Sequence, residues 1–319
     1  MPPMPPPPPG IWCPAITLFD PATDALDLAA QSLYYAHLSR SGLTGLLILG
    51  TNAETLLLSR AERRELLSLA KDVCPEGFPL MAGISGHSTA GVLEFLEDAG
   101  ELGYKWVLVL PPGYFPGMSS KEVIFRFYEE VSSRAAERGI GTVIYNFPGV
   151  CNGVDLSSAV ISELARRCEG IVGVKLTCGS VAKITRLAGE LKAEAFSIFG
   201  GQSDFLLGGL AVGSAGCIAA FANVFPKTVV RVWELWKEGK TAEALEVHRK
   251  AALTEQAVKE GGVAAVKYAA GVFSVGRTGV EGAEGKVKMR RPYGELGEER
   301  KRAIREALKE VAAMEDELW

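Results

Sequence analysis

Eight short apolar runs alternate with helical patterns along the first two thirds of this 319-residue chain, and that alternation limits the fold more than any other feature. The runs cover 11–18, 45–49, 80–83, 106–110, 141–146, 171–176, 196–200 and 216–219. Each is bounded by Gly, Pro or polar residues and has the length of a buried strand. Helical periodicity lies between them at 28–40, 60–73, 89–101, 121–138, 157–168, 181–191 and 204–212. Start signals stand at Ser59 ahead of Ala61-Glu62, at Ser120 before Lys121-Glu122, and at Asp155 before Leu156. Strands alternating with helices form parallel βαβ units, and eight is the number that closes a barrel. An open doubly wound sheet is the competitor, but no G-x-G-x-x-G follows the first run, so its dinucleotide-binding form loses ground. From Pro226 onward the strands stop, and 229–237, 241–259, 263–273 and 298–315 read as helices. The expected fold is α/β, a (β/α)8 TIM barrel over 11–225 with a C-terminal helical appendage over 226–319. A Pro-rich lead-in over 1–10, extended and poorly ordered, should precede it.

Bulk properties exclude several partners. The chain is 48% hydrophobic and 23% charged, as in an ordinary globular protein, and its net charge of -4 comes with no basic stripe. Nucleic acid and anionic membrane surfaces are therefore poor partners. No apolar run approaches the roughly 20 residues of a membrane helix. Six scattered cysteines (Cys13, Cys74, Cys151, Cys168, Cys178, Cys217) form no C-x-x-C pair and favour a reducing compartment. The proline-rich start is neither a signal h-region nor an Arg-rich transit helix, so the expected location is cytoplasmic. Three histidines, His37, His87 and His248, lie far apart without ligand spacing, and neither a metal nor a cofactor is expected.

Chemistry is concentrated at the ends of the runs. In Ile171-Val172-Gly173-Val174-Lys175-Leu176-Thr177, period-two alternation puts Val172, Val174 and Leu176 on one face and Lys175 on the other. An amine on an apolar strand is costly unless paired or neutral. A desolvated lysine is also a Schiff-base nucleophile; a strand-end lysine reaching a carboxylate is the plainer alternative. In a barrel, the strand's C-terminal end is where catalytic groups sit, which aims Lys175 at the mouth. Gly50-Thr51-Asn52-Ala53-Glu54 follows the second run and offers amide and hydroxyl donors to an anion, or else a simple capped turn. Tyr145, in Tyr145-Asn146-Phe147-Pro148, should face inward, as a proton shuttle or as a buried tyrosine whose hydroxyl finds a partner. Pro111-Pro112-Gly113-Tyr114-Phe115-Pro116-Gly117 is a stiff loop that exposes Tyr114 as a site or interface residue. Gly201, Gln202 and Ser203 follow the seventh run as hydroxyl contacts or as part of a helix cap.

Together with Gly216-Cys217-Ile218, Ala222-Asn223-Val224 and Arg291-Pro292, these segments resemble the dihydrodipicolinate synthase / N-acetylneuraminate lyase family of class I, pyruvate-dependent aldolases. The resemblance runs from about Gly10 to the C-terminal helices. It implies a barrel with a C-terminal helical bundle, usually assembled as a homotetramer, a dimer of dimers. It further implies Lys175 as the Schiff-base lysine and Tyr145 as the proton relay. Thr51 and Asn52 would hold the 2-oxo carboxylate beside Gly50, and the Ile218 carbonyl would line the pyruvate pocket. Tyr114 matches the tyrosine that reaches into a neighbouring subunit's site. Three departures matter. Asn52 stands where the synthase has a second threonine, and asparagine there resembles the 4-hydroxy-2-oxoglutarate aldolases and related sugar-acid aldolases. Ala53 stands where the family usually has glycine, and Val150 stands where true dihydrodipicolinate synthases carry an arginine for the semialdehyde's carboxylate. Losing that charge-assisted hydrogen bond removes about 1.5–3 kcal/mol from that substrate. The resemblance therefore points to a lyase cleaving a 2-keto-3-deoxy sugar acid to pyruvate and an aldehyde such as glyceraldehyde. The alternatives are a 4-hydroxy-2-oxoglutarate aldolase releasing pyruvate and glyoxylate and, behind it, dihydrodipicolinate synthase. A non-catalytic 2-oxo-acid-binding barrel and an unrelated phosphate-binding barrel are the competitors from other classes.

Overall fold

A computed structural model describes residues 4–319. Eight parallel strands close into a barrel in sequence order: β1 (Gly10–Pro14), β2 (Gly45–Ile48), β3 (Leu80–Gly83), β4 (Trp106–Val109), β5 (Gly141–Asn146), β6 (Ile171–Leu176), β7 (Ser197–Gly200) and β8 (Gly216–Ile218). This is the expected TIM barrel, and its strands are buried along their whole length. That burial explains why they read as continuous apolar runs rather than alternating ones: side chains fill the interior while helices cover the outside.

The first run forms a shorter strand than expected. Its ladder ends at Pro14 because side chains take over the backbone donors beyond it. Asn223 Oδ1 accepts from the Ile16 amide at 3.1 Å, and Gln31 Oε1 accepts from the Leu18 amide at 2.8 Å. Both groups are buried, so each amide needs such a partner.

The helices between strands are α1 (Leu28–Ser39), α2 (Arg60–Val73), α3 (Thr89–Glu101), α4 (Lys121–Glu137), α5 (Ser158–Arg167), α6 (Val181–Glu190) and α7 (Leu206–Ala211). Ser59 and Glu62 form a reciprocal capping box at α2, and Ser120 caps α4, as their spacing predicts. Asp155 does not start α5. Ser157 is the cap, while Asp155 accepts from Asn146 Nδ2 at 2.8 Å and pairs with Lys183. The later helices are α8 (Pro226–Lys237), α9 (Thr241–Lys259), α10 (Gly262–Phe273), the single turn α11 (Ala283–Lys286) and α12 (Glu298–Glu317).

The described residues fall into two compact units. One unit joins the chain up to Pro9 with Leu80–Ile218; the other joins Gly10–Pro79 with Ala219–Trp319. In the first, two side chains hold the proline lead-in. Trp106 Nε1 donates to the Pro5 carbonyl at 2.9 Å and Ser197 Oγ to the Pro7 carbonyl at 2.7 Å. Prolines lack N–H groups but keep their acceptors, and an extended Pro run presents those acceptors to the first residues of β4 and β7. Met1–Pro3 lie outside the described residues.

In the second unit the C-terminal helices fasten onto each other through helix ends. Phe225 offers no side-chain cap to α8; Glu315 of α12 instead accepts from the Lys227 amide (3.0 Å) and from the Thr228 amide and hydroxyl (2.7 and 2.6 Å). A carboxylate at a helix N-terminus satisfies orphan donors and complements the dipole. Nearby, His37 stacks on Trp319 with ring centroids 4.6 Å apart. Burial, with Arg277 and Lys227 close by, pulls the imidazole down to about 4. The unfolded chain therefore takes up a proton near pH 6.5 that the folded chain refuses until about pH 4. Stability should fall as pH drops through that window and level off below it. By pH 5 the loss is at most about 2 kcal/mol. Denaturant midpoints at pH 7 and pH 5 check this: His37→Gln should shrink the difference seen in the natural protein.

Candidate active site

Lys175 and Tyr145 are the penultimate residues of β6 and β5, and strand register makes them direct neighbours. That register depends on an irregularity. Thr142 pairs with Ile171, but Val143 pairs with Gly173, so the offset grows by one residue between them. Without this bulge Tyr145 would stand opposite Val174, on the wrong face. With it, Lys175 Nζ lies 4.4 Å from the centre of the Tyr145 ring. Each side chain is 2% exposed. On the other side Lys175 pairs in register with Phe199 of β7, which is fully buried. The lysine is thus flanked in register by two buried aromatic residues.

The seventh loop closes against the end of β6. The Gly201 amide donates to the Leu176 carbonyl at 3.0 Å. A Cβ on Gly201 would lie 2.1 Å from Thr177 Oγ1, so only glycine permits this approach. Gln202 is half-buried and Ser203 is buried; Ile218, the last residue of β8, is fully buried. Tyr114 is different. It is 61% exposed, its ring edge-on to His87 (5.0 Å) and Phe115 (4.7 Å), and it is not buried as Lys175 is. Its loop is pinned from behind, because Asn152 Nδ2 donates to the Gly113 carbonyl at 2.7 Å. Gly113 also packs so closely that a Cβ there would meet Cys151 Cα at 2.8 Å.

In the other unit, Gly50 leads into a 3-10 turn, Thr51–Ala53, bracketed by two non-glycine residues with left-handed backbones, Leu49 (φ 65°) and Glu54 (φ 56°). Such positions are uncommon for a bulky residue like leucine and persist only where surroundings impose them. The surroundings here are specific. Thr17 Oγ1 donates to the Ala53 carbonyl at 2.8 Å. The Arg290 amide donates to Glu54 Oε2 at 2.8 Å, and Lys267 of α10 pairs with Glu54 Oε1. Lys267 is fully buried, with its amine 4.6 Å from the Phe19 ring centre; burial pulls it below the ordinary lysine value while Glu54 opposes that shift. Thr51 and Asn52 remain half-buried at the tip. Ala53 carries no left-handed backbone, so alanine replaces glycine there without strain.

Phe199 and the Glu54–Lys267 pair escaped the sequence reading. Lys267 did leave a signal: it is the lone charge between Gly261 and Phe273.

The model of the Dihydrodipicolinate synthetase family matches residues 8–311. A Coccidioides immitis (strain RS) protein named "Putative 4-hydroxy-2-oxoglutarate aldolase, mitochondrial" is 56% identical, covering 97% of each chain. The L-threo-3-deoxy-hexylosonate aldolase of Aspergillus niger is 30% identical, again over 97% of each. Among solved structures, YagE of E. coli K12, a prophage protein of the dihydrodipicolinic acid synthase family crystallised in complex with pyruvate, superposes with a TM-score of 0.85. It is 26% identical, covering 95% of this chain and 98% of that one.

Proposed function

We propose, proceeding from the fact that this chain belongs to the dihydrodipicolinate synthetase family, that it is a class I aldolase cleaving 4-hydroxy-2-oxoglutarate to pyruvate and glyoxylate. The observation that carries the substrate assignment is the 56% identity to the Coccidioides protein over nearly the whole chain. This favours the runner-up of the sequence reading over its first choice. The missing arginine at Val150 does not count against it. Glyoxylate carries its carboxylate on the aldehyde carbon itself, whereas a four-carbon semialdehyde holds it two carbons farther out.

The reaction assigned to the site balances without a metal or cofactor. The Lys175 amine adds to the 2-oxo carbon and water leaves, giving an iminium. The C4 hydroxyl gives up its proton, the C3–C4 bond breaks towards the iminium, and glyoxylate departs. The resulting enamine takes a proton at C3, and water releases pyruvate and restores the amine. Tyr145 is assigned the proton transfers, because its side chain lies against Lys175. Thr51 and Asn52, with the Gly50 turn, are assigned the carboxylate of the 2-oxo acid. The Ile218 carbonyl is assigned to the pyruvate pocket, and Gly201, Gln202 and Ser203 to the aldehyde half. Exposed Tyr114 is assigned to a neighbouring subunit's site in a homotetramer. For location, the free cysteines fit a reducing compartment, either cytosol or the mitochondrial interior that the relative's name carries.

A second reading has its own support. The Aspergillus aldolase is named for a 3-deoxy sugar acid, and Gly201, Gln202 and Ser203 suit the hydroxyls of such a chain. A panel scored by pyruvate release separates the two: 4-hydroxy-2-oxoglutarate should give the highest kcat/KM. A preference for 2-keto-3-deoxy sugar acids by tenfold or more would overturn the assignment.

A further inference from the structure

The carboxylate-binding role given to Thr51 and Asn52 leaves open what holds their turn in place. The turn follows a left-handed leucine and ends in a left-handed glutamate, so its backbone depends on outside restraint. Three restraints act on its C-terminal end. Thr17 holds the Ala53 carbonyl, and Glu54 is tied to Lys267 of α10 and to the backbone of Arg290, both more than 200 residues away in sequence. The side chains of Glu54 and Lys267 are 2% and 0% exposed. A buried pair of this kind is a poor source of net stability but a strong source of geometric definition.

We propose that Glu54, braced by Lys267 and the Arg290 amide, is a positioning residue that fixes the Thr51–Asn52 donors, so that the C-terminal helices set the affinity for the 2-oxo acid's carboxylate. The inference rests on the function proposed above, and it differs from a purely structural role in what it moves. Loosened donors weaken binding of the carboxylate end, whereas the amine that forms the adduct is untouched.

The test uses the full-length protein and pyruvate, with borohydride trapping followed as a function of pyruvate concentration. The variants are the paired Glu54→Gln/Lys267→Met, which removes both charges together, and Thr17→Val, which removes the separate hydroxyl brace. The paired variant should raise half-saturating pyruvate about tenfold or more, with the maximal trapping rate within about threefold of the natural protein. Thr17→Val should shift it in the same direction by a smaller factor, and it carries the test if the paired variant fails to fold. A folded variant with unchanged half-saturation overturns the inference, as does an equal loss in maximal rate with no change in half-saturation. Absence of trapping in the natural protein would instead remove the proposed function itself.

Discussion

Lys175→Met is expected to reduce cleavage of the 2-oxo acid by about 10⁴-fold or more, which corresponds to about 5.4 kcal/mol of lost transition-state stabilisation. Breaking a carbon–carbon bond next to a ketone leaves a carbanion, and the iminium that absorbs those electrons forms only on an amine. Methionine keeps the length and apolar stem of the side chain, and Lys175 already sits among apolar neighbours with Phe199 and Tyr145 in register. Folding should therefore survive. Pyruvate release with purified variant and matched circular dichroism checks both halves. A folded Lys175→Met protein retaining more than about a hundredth of the activity would move the chemistry elsewhere.

Tyr145→Phe is expected to cost about 10²- to 10⁴-fold in kcat, the usual range for removing a positioned proton-transfer group. Phenylalanine preserves the ring that faces the Lys175 amine at 4.4 Å, so the geometry around the nucleophile should persist. Only the hydroxyl is lost. The two variants therefore separate two steps. Lys175→Met should form no adduct at all, whereas Tyr145→Phe should still be trapped with pyruvate, slowly, and turn over poorly. Rapid-quench comparison of adduct formation and pyruvate release distinguishes them; equal rates in Tyr145→Phe and the natural enzyme would exclude the phenol from proton transfer.

How far the sequence disclosed this architecture depended on whether the deciding interaction was local. The strands were legible because a fully buried strand is a short apolar run, and helix starts such as Ser59–Glu62 were legible because a capping box lies within four residues. Lys175 stood out as one charge in an apolar strand. Its neighbours were harder. Tyr145 reaches it only through a bulge in β5, which no local pattern announces, and Phe199 looks like any core aromatic until register sets it beside the amine. The end of β1 was misplaced because Asn223, more than 200 residues away, competes for the Ile16 amide. The same separation hid the Glu54–Lys267 pair: each half is an ordinary charged residue until the fold buries both. Composition predicts an extended chain, and Pro5 and Pro7 offer their carbonyls to side chains at the starts of two strands.

The Lys175 nitrogen, buried beside the Tyr145 ring, is expected to condense covalently with a 2-oxo acid. Reduction with borohydride in the presence of pyruvate, followed by peptide mapping, tests it directly. A single added mass, that of a reduced pyruvate imine, is expected on the peptide carrying Lys175, together with loss of activity in proportion. An unmodified protein, or a label that maps to another lysine while Lys175 stays free, would contradict it.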